Sequence, residues 1–214
     1  MRSVPPSARD LTTLDEGTRA LVRLSAAIAA GSEVEMRTSL TVAARVTPAL
    51  HVEELVLQSY LFCGFPRALN AAREWRRVAP VPAPTTDEAE DATRTEEWRE
   101  RGERTCAEVY GPMYEKLRLN VRDLHPALDA WMVLEGYGKV LSRQGLDLPR
   151  RELCIVAACA ATGQDRQLHS HLHGALNVGV PAEVLGAAID ALEETIGADR
   201  VRSTRLLLAR VLGK

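Results

Sequence analysis

The sequence predicts an all-α fold built around two related helical hairpins. Apolar residues recur at steps of three and four along most of the chain, as at Leu21, Leu24 and Ile28, which is the period of an amphipathic helix. The strand signature, alternation with β-branched and aromatic enrichment, is absent, and aromatic residues make up only 4% of the chain. We therefore expect a helical bundle without a sheet.

The composition is that of an ordinary globular protein. The chain has 214 residues, 46% of them apolar, and 27 basic against 29 acidic residues give a net charge of −2. This balance does not favour nucleic acid or an anionic membrane as a partner. No apolar run reaches the roughly 18 residues of a membrane-spanning helix, and the first residues do not have the pattern of a signal peptide. We therefore expect a cytoplasmic protein.

Four cysteines are scattered along the chain without a CxxC pair. They are Cys63, Cys106, Cys154 and Cys159. Cys154 and Cys159 are five residues apart, about 140° around a helix. In a reducing compartment we interpret all four as free, mostly buried thiols, and a redox or metal role is the alternative.

Breaks in composition divide the chain into four segments. Residues 1–10 carry two prolines and small polar residues, and we predict a flexible tail. Helical patterns fill residues 11–78 and resume in 96–214. Between them, residues 79–95 are rich in proline and acidic side chains, which predicts a linker. We expect the two helical parts to form one compact unit.

A weak internal repeat links the two halves at an offset of 132 residues. The matched pairs are Arg19 with Arg151, Leu21 with Leu153, Gly31 with Gly163, Leu40 with Leu172, Ala43 with Ala175, and Val46 with Val178. The glycine between the helices coincides in both copies. We interpret residues 11–78 as a degenerate helical repeat of the later hairpin, and chance likeness between alanine-rich helices is the alternative.

The segment Arg151–Pro181 carries the candidate chemistry. Two apolar helical patterns meet at Gly163, with Glu152 in the first turn of one and His171 on the buried face of the other. Their distances from Gly163 predict that they differ in height by about one helical turn, so they can touch across the hairpin. A carboxylate beside an imidazole favours acid–base chemistry near neutral pH. A structural acid beside a satisfied core histidine is the alternative.

The other two histidines of this segment point elsewhere. His169 and His173 lie about 100° and 140° around the helix from Leu168, so we expect them to face solvent or an oligomer contact. Ligands two residues apart on a helix diverge by about 200°. On that ground, and because we identify no H-x₃-H pair among the three histidines, we expect no zinc site and no metal ligands.

Three stretches carry a resemblance to a known family. They are RELCIVAACAA followed by HSHLHGALNVGV, the preceding YGKVLSRQGLDL (Tyr137–Leu148), and HVEELVLQSYLFCGFPRALNA (His51–Ala71). Together they resemble the carboxymuconolactone decarboxylase family, which belongs to the alkylhydroperoxidase D-like superfamily. The third stretch (His51–Ala71) resembles the segment that closes the family's sequences. In this chain it comes before Tyr137–Leu148, which resembles the segment that the family places ahead of the helix with the Glu. That order suggests duplication with divergence or a permuted arrangement, and the offset repeat favours duplication.

The resemblance implies an all-helical alkylhydroperoxidase D-like bundle that assembles as trimers or hexamers. In the thiol-dependent branch, a Glu, the two cysteines of a CxxC and a downstream His form a proton relay. On this sequence the Glu corresponds to Glu152, the His to His171, and the cysteine positions to Gln164 and Gln167. Glutamine cannot form a disulfide or attack a peroxide, so the acid and the histidine remain without the thiols.

In the first repeat, Ala20 occupies the position that corresponds to Glu152, and Ser39 occupies the position that corresponds to His171. That copy therefore has no catalytic pair, and we interpret it as structural.

The leading functional hypothesis is an enzyme that uses acid–base catalysis without metal or cofactor. We expect it to resemble a decarboxylase, which is a lyase, or an isomerase. It would act on a small unsaturated carboxylate or lactone, with His171 as proton donor and Glu152 as its orienting partner. The candidate substrate-binding residues are Arg151, Gln164, Gln167 and Tyr137. A structural ion pair is the alternative for Arg151, and plain packing is the alternative for Tyr137.

Two other functions stay open. One is an alkylhydroperoxidase D-like antioxidant of the peroxiredoxin type, disfavoured by the missing CxxC. The other is a non-catalytic oligomeric binding protein. The expected partners are a small-molecule substrate and further copies of the chain, with neither nucleic acid nor a membrane.

Overall fold

The computed structural model describes residues 11–213, and within them all regular secondary structure is helical. The all-α prediction is confirmed, and residues 1–10, the predicted tail, lie outside the described residues. The helices are α1 Glu16–Ala30, α2 Glu33–Val46, α3 Ala49–Val78, α4 Thr95–Tyr110, α5 Tyr114–Leu124, α6 Pro126–Trp131, α7 Leu148–Thr162, α8 Asp165–Asn177, α9 Ala182–Asp190, α10 Glu193–Ile196 and α11 Ala198–Val211. No helix in this range is long and apolar enough to cross a membrane.

Helices α1 to α3 form the first helical unit. The Ser32 side chain accepts from the backbone N–H of Glu35 and the Glu35 side chain accepts from that of Ser32, which fixes the start of α2. Within α3, Gly64 has φ 78° and ψ 159° and breaks the helix beside Pro66. Glycine adopts this backbone without steric cost, and proline removes a helical hydrogen bond. The apolar faces of the three helices meet in one cluster that includes the fully buried Trp75.

The predicted linker, residues 79–95, is mostly exposed and contains two short 3₁₀ turns. It is nevertheless tied to the helices that follow. Asp87 pairs with Arg143 at 2.8 Å, and Glu88 pairs with Arg101 at 2.8 Å. The segment therefore runs along the surface of the bundle.

A π-helical segment, Met132–Leu141, continues α6. A π-helix joins residues five apart, whereas an α-helix joins residues four apart. This spacing is present at the end of the segment, where the Ser142 N–H donates to the Tyr137 carbonyl at 3.0 Å. The segment crosses α4 with the two backbones in close approach at Gly102 and Gly138. This crossing turns the Tyr137 side chain into the core.

Helices α1 and α7 join the two halves of the bundle. The Ser25 hydroxyl donates to the Cys154 carbonyl at 2.6 Å, and Arg150 Nε donates to the Thr18 hydroxyl at 2.9 Å. Residues 149–160 of α7 are all buried, so this helix lies at the centre of the protein. The hairpin α7–α8 carries the candidate site.

The helix bounds follow the predicted repeat. Helices α1 and α7 are both 15 residues long and begin 132 residues apart, and α2 and α8 also begin 132 residues apart. Gly64 and Gly197 share the same unusual backbone, with φ 78° in both and ψ 159° and 157°. Arg67 Nε donates to the Ile28 carbonyl, and Arg200 Nε donates to the Ala160 carbonyl. The glycines and arginines of these pairs are each 133 residues apart, so the correspondence here includes a shift of one residue. These correspondences support duplication, which stays a proposal.

Candidate active site

Glu152 and His171 lie in contact across the α7–α8 hairpin. His171 Nδ1 is 2.8 Å from Glu152 Oε2. Glu152 is 0% exposed and His171 is 5% exposed, so the contact is almost completely shielded from water. Polar contacts are electrostatically stronger in such surroundings than in water.

Two glycines make this contact geometrically possible. Gly163 ends α7 in the left-handed region, with φ 71°, and turns the chain back so that α8 packs against α7. Gly174 lies one turn after His171, and a Cβ there would fall 2.7 Å from Glu152 Oε2. A side chain at position 174 would therefore occupy the space that the carboxylate needs.

The contact relates the roles of the two imidazole nitrogens to the form of Glu152. A carboxylate in its ionised form only accepts hydrogen bonds, and in that form Glu152 accepts from Nδ1–H of His171 and leaves Nε2 for another partner. Glu152 Oε1 is buried and has no hydrogen-bond partner among the described residues. The pair thus keeps one imidazole nitrogen and one carboxylate oxygen available for a group that enters the site.

Two aromatic rings flank His171 that the sequence argument did not identify. Phe62, from α3, meets the imidazole edge-on with ring centroids 5.5 Å apart. Tyr110, the last residue of α4, lies 6.3 Å from it by the same measure. Both come from segments distant in sequence, and no spacing relates them to His171. They give the imidazole a largely apolar environment.

The Tyr137 ring packs against the Tyr110 ring. Their ring centroids are 6.1 Å apart in a T-shaped arrangement. Burial raises the pKa of Tyr137 well above its usual value. Burial also raises the pKa of Tyr110, while an interaction with the Tyr137 hydroxyl partly offsets the effect. Both phenols therefore stay protonated near neutral pH and can serve as hydrogen-bond donors.

The structure does not bring Arg151 to this pair. Its side chain is fully buried against α3 and donates to Glu54 Oε2 at 2.7 Å and to Gln58 Oε1 at 3.2 Å. Further bonds reach the carbonyl oxygens of Leu146 and Arg143. Its donors are thus engaged within the core, which matches the structural ion pair considered as the alternative.

Gln164 and Gln167 are exposed at the start of α8. Gln164 is the residue that precedes the first turn, and its side chain makes no capping hydrogen bond. Neither side chain makes a hydrogen bond with Glu152 or His171 within the described residues. A substrate-binding role for the two amides stays a prediction.

The outer face of α8 borders a cleft of about 490 Å³. Its polar lining consists of Lys116, Asn120, His169, Ser170, His173 and Asn177, and Tyr110 forms part of its wall. His169 and His173 are both exposed, as the sequence predicts. Tyr110 therefore contacts the cleft on one side and His171 on the other.

The cysteines lie in surroundings that suppress thiolate formation. Burial raises the pKa of Cys63 to about 11 and that of Cys159 to about 12. Cys106 and Cys154 are raised to about 12 by the same cause. All four are free, in agreement with the sequence prediction.

Fold and site together define a helical-bundle protein with a buried Glu–His pair in the central hairpin. The sequence profile of the carboxymuconolactone decarboxylase family matches residues 126–210. The chain is also 32% identical over 153 residues to Peroxisomal protein 2 of Schizosaccharomyces pombe, an alignment that covers 69% of this chain and 71% of that protein. The chain belongs to the carboxymuconolactone decarboxylase family, and its fold is the all-α alkylhydroperoxidase D-like fold.

The residues matched by the family profile hold most of the site. They contain Tyr137, Glu152 and His171, whereas Phe62 and Tyr110 lie before them. The rings that surround the imidazole are therefore supplied by parts of the chain outside the matched residues.

Replacing Gly174 with alanine should displace the Glu152 carboxylate from His171. The new Cβ would lie 2.7 Å from Glu152 Oε2 and 2.8 Å from Val109 Cγ1, and both neighbours are buried. We expect a loss of about 1–3 kcal/mol in the free energy of unfolding, as for other overpacked positions. Proton NMR should show a weakened or shifted low-field Nδ1–H signal of His171.

Gly186→Ala is the matched control for this variant. The three atoms nearest to a Cβ there belong to the end of the Arg205 side chain, which is partly exposed and can move. An unchanged Nδ1–H signal in Gly174→Ala would show that Gly174 does not hold the carboxylate in place.

Proposed function

We propose that this protein is a carboxymuconolactone decarboxylase-like enzyme that uses Glu152 and His171 for acid–base chemistry. The substrate class is a small unsaturated carboxylate or lactone. The observation that carries the proposal is the buried 2.8 Å contact between His171 Nδ1 and Glu152 Oε2, together with the unpartnered Glu152 Oε1. A carboxylate that fixes the imidazole tautomer leaves Nε2 as the atom that exchanges a proton with substrate.

In the proposed reaction the bond between the substrate carbon and its carboxylate breaks. The electron pair moves into the unsaturated lactone as a dienolate, and CO₂ leaves. The reaction requires a proton on Nε2 of His171 as well as on Nδ1; His171 gives the Nε2 proton to carbon and later regains one from solvent. The Glu152 carboxylate orients the ring through Nδ1–H and stabilises the imidazolium.

We place the route to the pair at the cleft beside α8. Tyr110 lines this cleft and also contacts the His171 ring, so movement of the Tyr110 side chain would connect the two. Lys116 gives the cleft a cation that attracts a carboxylate. Tyr137 packs against Tyr110 and supports its ring. Gln164 and Gln167 stay candidates for substrate contacts. Arg151 is given a structural role, because its side chain binds Glu54.

The test compares turnover of unsaturated lactone carboxylates by the unmodified protein and by His171→Ala and Glu152→Gln. Loss of a general acid typically costs 10²–10⁴-fold, so we expect kcat/KM to fall at least about a hundredfold in His171→Ala. Glu152→Gln keeps an acceptor for Nδ1–H but removes the charge, and should lower kcat more than it raises KM.

His51→Ala is the control, because His51 lies on α3 and has no contact with the pair. Unchanged turnover in His171→Ala would remove the acid–base role. If the unmodified protein converts no substrate of this class, the decarboxylase assignment fails as well.

A second candidate is a non-catalytic binding protein, and the burial of the pair favours it. Glu152 and His171 are shielded by Phe62 and Tyr110, as expected of a satisfied polar pair in a core. In that case His171→Ala would lower stability, and the unmodified protein would show no turnover.

The antioxidant alternative has weaker support. The positions that correspond to the CxxC hold Gln164 and Gln167. The high pKa values of Cys63 and Cys159 leave little thiolate at neutral pH to attack a peroxide.

Self-association and location stay predictions. A trimer or hexamer follows from the family resemblance, and sedimentation or light scattering would decide it. The sequence prediction is a cytoplasmic protein, whereas the name of the yeast relative suggests a peroxisome. Imaging of a tagged chain in cells would distinguish the two.

A further inference from the structure

His169 and His173 lie side by side on the outer face of α8. They are four residues apart, so their side chains project from the same face, one turn above the other. Their ring centroids are 4.9 Å apart, with the ring planes at 70°. The prediction that no H-x₃-H pair occurs among these histidines is wrong, because His169 and His173 have this spacing.

The separation of the rings suits one shared metal ion. Histidine nitrogens bind Zn²⁺ at about 2.0–2.1 Å, which puts each ring centroid roughly 3.2 Å from the ion. If one nitrogen of each ring faces a shared ion, centroids 4.9 Å apart correspond to an angle of about 100° at the ion, close to the tetrahedral value that zinc prefers. Two histidines at positions i and i+4 of a helix form the same kind of chelate in the HExxH motif.

The surroundings leave room for a metal and its remaining ligands. Both imidazoles are exposed and line the cleft of about 490 Å³. Asn177, one further turn along α8, lines the same cleft. Among the described residues that line this cleft there is one lysine, Lys116, and neither an aspartate nor a glutamate. An anion held there would be attracted by both the ammonium group and a bound cation.

We propose that His169 and His173 form a chelating site for a divalent transition metal such as Zn²⁺, Ni²⁺ or Cu²⁺. Water or a small anion in the cleft completes the coordination. Imidazole favours these ions, whereas Mg²⁺ and Ca²⁺ require oxygen ligands. The two histidines are the protein ligands of this site, because no group of three or more His, Cys, Asp or Glu side chains that could hold a metal occurs within the described residues.

His171 is not part of this site. It projects from the opposite face of α8, is buried, and has its Nδ1 engaged by Glu152. Binding at His169 and His173 therefore does not depend on the proposed acid–base reaction, and the two proposals fail or succeed separately.

The experiment measures binding of Zn²⁺ to the full-length protein by calorimetry and of Cu²⁺ by electron paramagnetic resonance. We expect one ion per chain and a Cu²⁺ spectrum with nitrogen coupling from two imidazoles. Loss of an outer-shell partner already costs about 10–100-fold in metal affinity, so His169→Ala and His173→Ala should each weaken binding at least about tenfold. Mg²⁺ should not compete.

His51→Ala is the matched control, since this histidine lies on α3 away from the pair, and it should bind the metal as the unmodified protein does. Circular dichroism should show intact helices in His169→Ala and His173→Ala, because both side chains are exposed, and it also checks the helices of His51→Ala, whose side chain is half-buried. Failure of the unmodified protein to bind one equivalent overturns the proposal. So does binding that survives in both His169→Ala and His173→Ala, or that is lost in His51→Ala.

Discussion

Glu54→Ala should lower the free energy of unfolding by about 3–5 kcal/mol, the range for a buried ion pair that loses one partner. Glu54 is buried and binds Arg151 at 2.7 Å and Arg143 at 2.9 Å. Burial is the largest influence on the pKa of Arg151 and lowers it, whereas the Glu54 carboxylate opposes this shift. Without Glu54 the guanidinium would remain in the core as an uncompensated charge.

Two comparisons isolate this effect in chemical denaturation. Glu96→Ala removes the same side chain from an exposed pair with Arg99 and should cost less than about 1 kcal/mol. The double variant Glu54→Leu with Arg151→Met replaces both charges by apolar groups and should be more stable than Glu54→Ala. A loss of less than about 1 kcal/mol in Glu54→Ala would show that the carbonyl and amide acceptors around Arg151 are sufficient.

The helices were predictable because their apolar period is local information. The breaks at Gly64 and Gly163 follow from the conformational freedom of glycine, and the structure places positive φ angles at both. The π-helical form of 132–141 was not predictable in this way. Its apolar pattern also suits an α-helix, and the wider turn accompanies a close crossing with α4 that no local pattern records.

The central pair was predictable because the hairpin is short. Counting residues on either side of Gly163 gives relative heights on two antiparallel helices, and the 2.8 Å contact agrees with that count. Phe62, Tyr110 and the Arg151–Glu54 pair depend instead on packing between segments far apart in sequence. A single sequence does not specify such contacts.

Gly138→Ala should destabilise the protein by an amount near the upper end of about 1–3 kcal/mol, the usual range for overpacking. The new Cβ would fall well inside van der Waals contact with the Trp98 carbonyl oxygen, 2.9 Å from the Trp98 carbonyl carbon and 3.2 Å from the Val133 oxygen. All three are backbone atoms, so no side-chain rotation can relieve the clash. The π-helical segment and α4 would have to separate.

Gly136→Ala, in the same π-helical segment, distinguishes this clash from a general effect of replacing glycine. A Cβ at position 136 would find its nearest atom at 3.9 Å, an ordinary contact. Alanine there should be neutral or stabilise by up to about 1 kcal/mol, because it restricts the unfolded chain. Chemical denaturation of the two variants should therefore give opposite or clearly unequal shifts. Equal changes in the free energy of unfolding would mean that the two backbones at Gly138 can move apart at little cost. Tyr137 would then be held against Tyr110 less rigidly than the packing indicates.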